Sequence, residues 1–180
     1  MLQHRLEGSE NKKAQKVKLA CLRVGDGFYA LDIMCIREIV RPLPITPIPK
    51  APPFIDGVVK LRQSVIPVVD LRRRFDLPVG DQDQQQRMII CAVEGRMIGL
   101  IVNEVTEVRS YDRDEIHPAP YYLSGKNAKL FPGVCRKGER LYMLLDLKKI
   151  LESDQPIDGH KMNQQALAAG TEGSEIAYDY

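Results

Sequence analysis

No stretch of this 180-residue chain approaches the roughly 20 consecutive apolar residues that a membrane-crossing helix needs. Apolar runs such as Met88 to Val93 are far shorter, so direct membrane insertion is not expected and any membrane association has to come through a partner. A surplus of one charge is also missing. Lys and Arg number 26 against 24 Asp and Glu, a formal net charge of +2, well short of the excess that nucleic-acid proteins spread over a phosphate-facing surface. Nucleic acid is therefore not an expected partner. The opening segment MLQHRLEGSENKKAQK has no apolar core region, which argues against a secretory leader.

Metal and disulfide frameworks are absent from the pattern. Cys21, Cys35, Cys91 and Cys135 show no C-x-x-C spacing, and only His4, His117 and His160 could complete a ligand set. Free packing thiols in a reducing cytoplasm are the expectation, with no metal and no cofactor. A phosphate loop, an H-E-x-x-H pattern and a serine-histidine-aspartate arrangement are all missing, so an enzyme would have to hide its machinery. What the chain does have is apolar content, at 44%, sufficient to build cores.

Its strongest feature is an internal repeat. Laying Gly57 on Gly133 brings GVVKLRQSVIPVVDLR into ungapped register with GVCRKGERLYMLLDLK, so that Val58 meets Val134, Val68 meets Leu144, Asp70 meets Asp146 and Arg72 meets Lys148. A second block overlays FYALDIMCIREI on MIGLIVNEVTEV, pairing Leu31 with Leu100, Ile36 with Val105 and Glu38 with Glu107. The chain thus reads as one motif written twice, near residues 17–76 and 87–152, with chain exchange between the halves allowed. A flexible N-terminus, 1–16, precedes it, and a polar tail, 153–180, follows it with a short helix near Met162 to Ala169.

Each half reads as short strands rich in Val, Ile and Tyr between Gly or Pro signals: in the first, Lys18 to Val24, Phe28 to Leu31, Ile36 to Arg41, Val58 to Arg62 and Val65 to Asp70. Five strands in so few residues predict a small barrel. RPLPITPIPKAPP, from Arg41 to Pro53, carries six prolines and reads as an extended surface connection, with a proline-rich ligand as the sharper alternative. Pro67 would interrupt an interior ladder and is expected at an edge or a bulge.

Asp70 precedes LRRRF and Asp146 precedes LKKILE, so both carboxylates are expected to cap short helices. The competing reading is a catalytic carboxylate dyad, but the small residue and glycine that let substrate approach such an acid are missing. Arg72, Arg73 and Arg74 read as a solvated face rather than a phosphate grip. His117 lies in a loop followed by Tyr121 and Tyr122, more in keeping with a cover than with a catalyst.

PFIDGVVKLRQSVIPVVDLR and FPGVCRKGERLYMLLDLKKIL, together with the I-x-E-I of Ile36 to Ile39 and the G-L-I-V-N-E-V of Gly99 to Val105, resemble the two halves of the CheW-like chemotaxis coupling proteins. The resemblance covers residues 17–152. It implies a mainly β fold of two SH3-like five-stranded β-barrel subdomains related by internal duplication, with a short helix after the last strand of each. It also implies a non-enzymatic cytoplasmic adaptor that links membrane chemoreceptors to the histidine kinase CheA. A groove between the barrels would take the receptor's cytoplasmic hairpin tip, a helix-in-groove contact. The matching groove positions are Ile36, Glu38, Gly57, Arg62, Gly99, Val105 and Val108, with Glu38 and Arg62 as an ion pair. Docking to the regulatory domain of CheA is expected barrel to barrel, through the second half near Met88 to Val93 and Leu141 to Leu144. Gln63 stands where the family usually has a glycine after the arginine; a left-handed turn there would strain it, so a different hairpin is expected. A nucleic-acid-binding SH3-like module is the alternative function.

Overall fold

The computed structural model describes residues 16–80, 84–120 and 127–152. The segment before Lys16, Tyr121 and Tyr122, and the tail from Ser153 with its expected helix lie outside them.

Strands form where the alternating apolar pattern predicts: β1 (Val17–Val24), β2 (Gly27–Asp32), β3 (Ile36–Val40), β4 (Ile55–Leu61) and β5 (Ser64–Asp70), followed by α1 (Leu71–Arg74). The second half repeats the order with β6 (Arg87–Val93), β7 (Arg96–Val102), β8 (Glu104–Tyr111), the two-residue β9 (His117–Pro118), β10 (Gly133–Lys137), β11 (Arg140–Leu144) and α2 (Leu147–Leu151). Short hairpins join most neighbours because glycine or a left-handed residue opens each turn: Gly25, Glu94 with Gly95, and Gly138 all have positive φ.

The mainly β expectation holds, but the sheets are not closed barrels. The first runs β8-β1-β2-β11-β10-β9 and the second β3-β6-β7-β5-β4, each an open ladder. Set side by side, the orders are the repeat itself: β8, β1, β2, β11 and β10 occupy the places that β3, β6, β7, β5 and β4 occupy in the other sheet. Neither sheet is made from one half alone. β1 and β2 are completed by strands from residues 104–144, while β6 and β7 are completed by β3, β4 and β5. The parallel contacts that join the halves also repeat, β11 with β2 through Met143 and Tyr29, and β5 with β7 through Val68 and Gly99.

Because strands are buried on both faces, successive residues feed different cores. A central core between the sheets takes Leu22, Tyr29, Leu31, Val69, Ile89, Cys91, Leu100 and Val102, joined by Leu71, Phe75, Phe131 and Ile150 from the segments around the two helices. Leu19, Cys21, Ala30 and Tyr142 fill the inside of the first sheet; Val59, Ile66, Val68, Met88 and Ile90 fill that of the second. Within the central core Phe75 stacks on Tyr29, ring centroids 4.9 Å apart, and meets Phe131 edge-on at 5.2 Å. All four thiols are free, and burial pushes that of Cys91 up to about 12.

Pro67 departs from expectation. It lies in β5, which has neighbours on both sides, and it pairs with Val58 in regular register. The ladder to β7 begins only at Val68, so the missing N–H of Pro67 falls just before that ladder starts, and the amide and carbonyl of Val58 opposite bond Thr46 instead. The proline-rich segment is therefore docked rather than free. Thr46 makes an isolated bridge to Val58, the counterpart of His117 bridging Val134 in the other half.

Candidate functional site

Asp70 and Asp146 begin equivalent helices. An Asp70 oxygen accepts the Arg72 amide at 2.9 Å and an Asp146 oxygen accepts the Lys149 amide at 3.1 Å. The backbone repeats this symmetry, since the Asp70 amide donates to Phe54 and the Asp146 amide to Leu130. Asp70 is 1% exposed and its carboxylate is also gripped by the Arg72 guanidinium, Nε at 3.0 Å and Nη2 at 2.8 Å, a bidentate pair. Those bonds raise the guanidinium's pKa against the opposing pull of burial. Such an acid is fully occupied and presents nothing to a substrate.

The arginine triplet is correspondingly not a solvated face. Arg72 is buried, Arg73 stands 3.4 Å from Asp56, and Arg74 donates to the carbonyls of Ile150 at 2.8 Å and Glu152 at 2.9 Å while lying over the Phe54 ring. Sequence spacing alone misses this because α1 is only one turn long, so each guanidinium reaches a different element. Arg74 in effect caps the C-terminal end of α2 and ties the two helices together. Burial raises the carboxyl pKa of Asp56, with Arg73 acting in the opposite direction.

The groove residues divide into three groups. Glu38 and Arg62 meet, with an oxygen-to-nitrogen distance of 3.8 Å. Glu38 is on β3 and Arg62 follows β4, so the contact spans the two outer strands of the open second sheet. Ile36 and Val105, equivalent in the repeat, are both half-buried against the central core, and Val108 is 57% exposed on the outer strand β8. Gly57 and Gly99 are both buried. Gly99 is buried in β7 beside Met88 and Val68. Gly57 has φ +147, and a Cβ there would lie 2.2 Å from the Thr46 carbonyl oxygen. It is the close approach that lets the proline-rich segment dock on β4.

Two expectations are corrected. The left-handed residue of the β4–β5 hairpin is Arg62, at φ +55, not Gln63. Gln63 thus escapes the strain, and Arg62 takes it. Replacing Arg62 with glycine should remove about 1 kcal/mol of backbone strain, raising the melting temperature by about 2–4 °C, which thermal unfolding followed by circular dichroism would show. Most of the stretch expected as a surface at Met88 to Val93 is interior, since Met88, Ile89, Ile90 and Cys91 are completely buried in β6, an inner strand, and Ala92 and Val93 alone are partly exposed; at the other expected position Leu141 is 43% exposed.

A duplicated, strand-exchanged pair of open sheets with ion pairs at their outer strands defines a class of two-sheet scaffold domains. The chain belongs to the CheW-like domain family, whose model matches residues 18–155. It is 28% identical over 145 residues to the chemotaxis protein CheW of Treponema pallidum (strain Nichols), covering 78% of this chain and 85% of that one. Against the chemotaxis protein CheW of Helicobacter pylori (strain ATCC 700392 / 26695) the identity is 32% over 131 residues, or 73% and 79% of the two chains. Among solved structures, the scaffolding protein TtCheW from Thermoanaerobacter tengcongensis matches with a TM-score of 0.72 at 28% identity, over 83% of this chain and 96% of that one.

Proposed function

We propose that this chain is a non-enzymatic adaptor that couples membrane chemoreceptors to the histidine kinase CheA, working in the cytoplasm and drawn to receptor arrays by its partners. The observation that carries the reading is the Glu38–Arg62 contact across the open gap of the second sheet. Ile36, two residues before Glu38, and Val105, its counterpart in the repeat, are both half-buried against the core between the sheets and offer an apolar floor to charged edges. That is the chemistry of a groove that takes an amphipathic helical hairpin, the form expected of a receptor tip.

Arg62 is 82% exposed at its side chain, so the pair contributes only about 0–1 kcal/mol to folding. Its value lies in contact with a partner. In a reconstituted mixture of receptor, CheA and this chain, Arg62→Glu should abolish receptor control of kinase autophosphorylation with the melting temperature nearly unchanged. Adding Glu38→Arg should restore part of it. A swap that restores nothing, with both variants folded, removes the ion pair from the site; a parent chain with no influence on autophosphorylation removes the adaptor reading itself.

A further inference from the structure

The Glu38–Arg62 contact has a twin in the other sheet. Glu107, which the repeat places on Glu38, forms an ion pair with Lys137. Glu107 lies on β8, an outer strand of the first sheet, and Lys137 is the last residue of β10, the counterpart of β4. Both contacts therefore span the open side of a sheet from the repeat's third strand, one to the turn that joins its last two strands and the other to the strand residue just before that turn.

The local geometry that aims each glutamate is duplicated too. Register slips by one residue between β3 and β6, where Ile36 pairs with Cys91 and Glu38 with Ile90, leaving Arg37 as the extra residue. It slips equivalently between β1 and β8, where Leu22 pairs with Val105 and Cys21 with Glu107, leaving Thr106. The Thr106 hydroxyl donates to the Cys21 carbonyl at 3.1 Å and so holds the bulge shut. A bulge turns the following side chain, and here each one is followed by the paired glutamate. An exposed aliphatic residue comes next in both copies, Ile39 at 41% and Val108 at 57% exposure.

We infer that Glu107 and Lys137 are positioning residues for receptor binding, a second closure pair that holds the outer strand β8, and with it Val105 and Val108, in place on the binding surface. The inference rests on the adaptor reading above. Among the described residues β8 is hydrogen-bonded on one side alone, to β1, so its other side is tied to the rest of the sheet through side chains. Glu107 and Lys137 are 33% and 39% exposed at their side chains, against 82% for Arg62, which makes this pair the better shielded of the two contacts.

The test is binding of a soluble receptor cytoplasmic-domain fragment to the full chain, measured with the melting temperature of every variant. Lys137→Glu should weaken binding about tenfold with little change in melting temperature, Lys137→Arg should bind as the parent does, and Glu107→Lys combined with Lys137→Glu should restore most of the loss. Glu107→Gln gives a second, milder break, expected to weaken binding a few fold. Arg62→Glu is measured alongside. If Arg62→Glu weakens binding and the folded Lys137→Glu and Glu107→Gln variants bind within twofold of the parent, the inference is wrong and the adaptor reading stands. If none of the three variants changes binding, the surface itself has been misplaced and the inference is wrong; a parent chain that does not bind the fragment at all removes the adaptor reading with it. A melting temperature that falls in step with affinity, or a double variant that restores nothing, would also overturn the positioning role.

Discussion

Arg72→Met is expected to destabilise the fold by about 3–5 kcal/mol, since it leaves the Asp70 carboxylate buried without its guanidinium. At this chain length that is a fall of roughly 6–20 °C in melting temperature. The reasoning is local. Asp70 is 1% exposed, and the nearest remaining cation, Arg73, stands 4.0 Å away with its own carboxylate to serve at Asp56. The double variant Asp70→Asn, Arg72→Met should regain much of the loss, because asparagine keeps an acceptor for the backbone amide of residue 72 and carries no charge. Chemical denaturation of the parent, both single variants and the double variant gives the coupling directly. A single-variant loss below about 1 kcal/mol would mean that the pair does not anchor the corner between β5 and α1.

Gly57→Ala should cost at least about 3 kcal/mol, combining a φ that L-residues avoid with a collision against backbone. The nearest obstacle is the Thr46 carbonyl oxygen, which also accepts the Val58 amide at 2.9 Å, while the Thr46 amide donates back to Val58 at 2.8 Å. The methyl group has nowhere to go unless both bonds break. Hydrogen exchange at the Thr46 and Val58 amides should accelerate together, and receptor binding should fall as the proline-rich segment lifts from β4. Unchanged protection at those two amides would show that the segment tolerates the intrusion. Gly99→Ala should be far milder, for its nearest neighbour is the flexible Met88 side chain at 3.3 Å.

The repeat made the fold's parts legible because it preserves what physics requires at each position. Gly57 and Gly133 both sit under a crossing backbone, Asp70 and Asp146 both start helices, and Phe54 and Leu130 both receive the amide of the capping aspartate. How the halves interlock was less legible, since period-two alternation marks a strand without naming its neighbour. β3 and β8 carry the same pattern and lie in opposite sheets. The Arg72 pair was hidden by its triplet, which looks like a wet surface until the helix is known to last one turn. One misreading had a signal in plain sight. The register that lays Gly57 on Gly133 also lays Arg62 on Gly138, so the left-handed position of the hairpin belongs to Arg62, as their φ values of +55 and +56 show. Comparison with the family glycine pointed to Gln63, one residue too late. The same register sets Lys137 beside the turn that corresponds to Arg62, which is why the second closure pair emerged only with the structure.

The exchange of strands between halves also governs how the chain is born. β2 gains its neighbour β11 only when Met143 and Leu144 reach Tyr29 and Ala30, and β1 waits for β8. During synthesis the N-terminal strands therefore emerge with unmet edges and stay so until nearly all the described chain has left the ribosome. Such distant partners slow folding and lengthen the exposure of sticky edges. The docked prolines beside β4 and the lysines and arginines along the outer strands then guard the nascent chain against pairing with its neighbours.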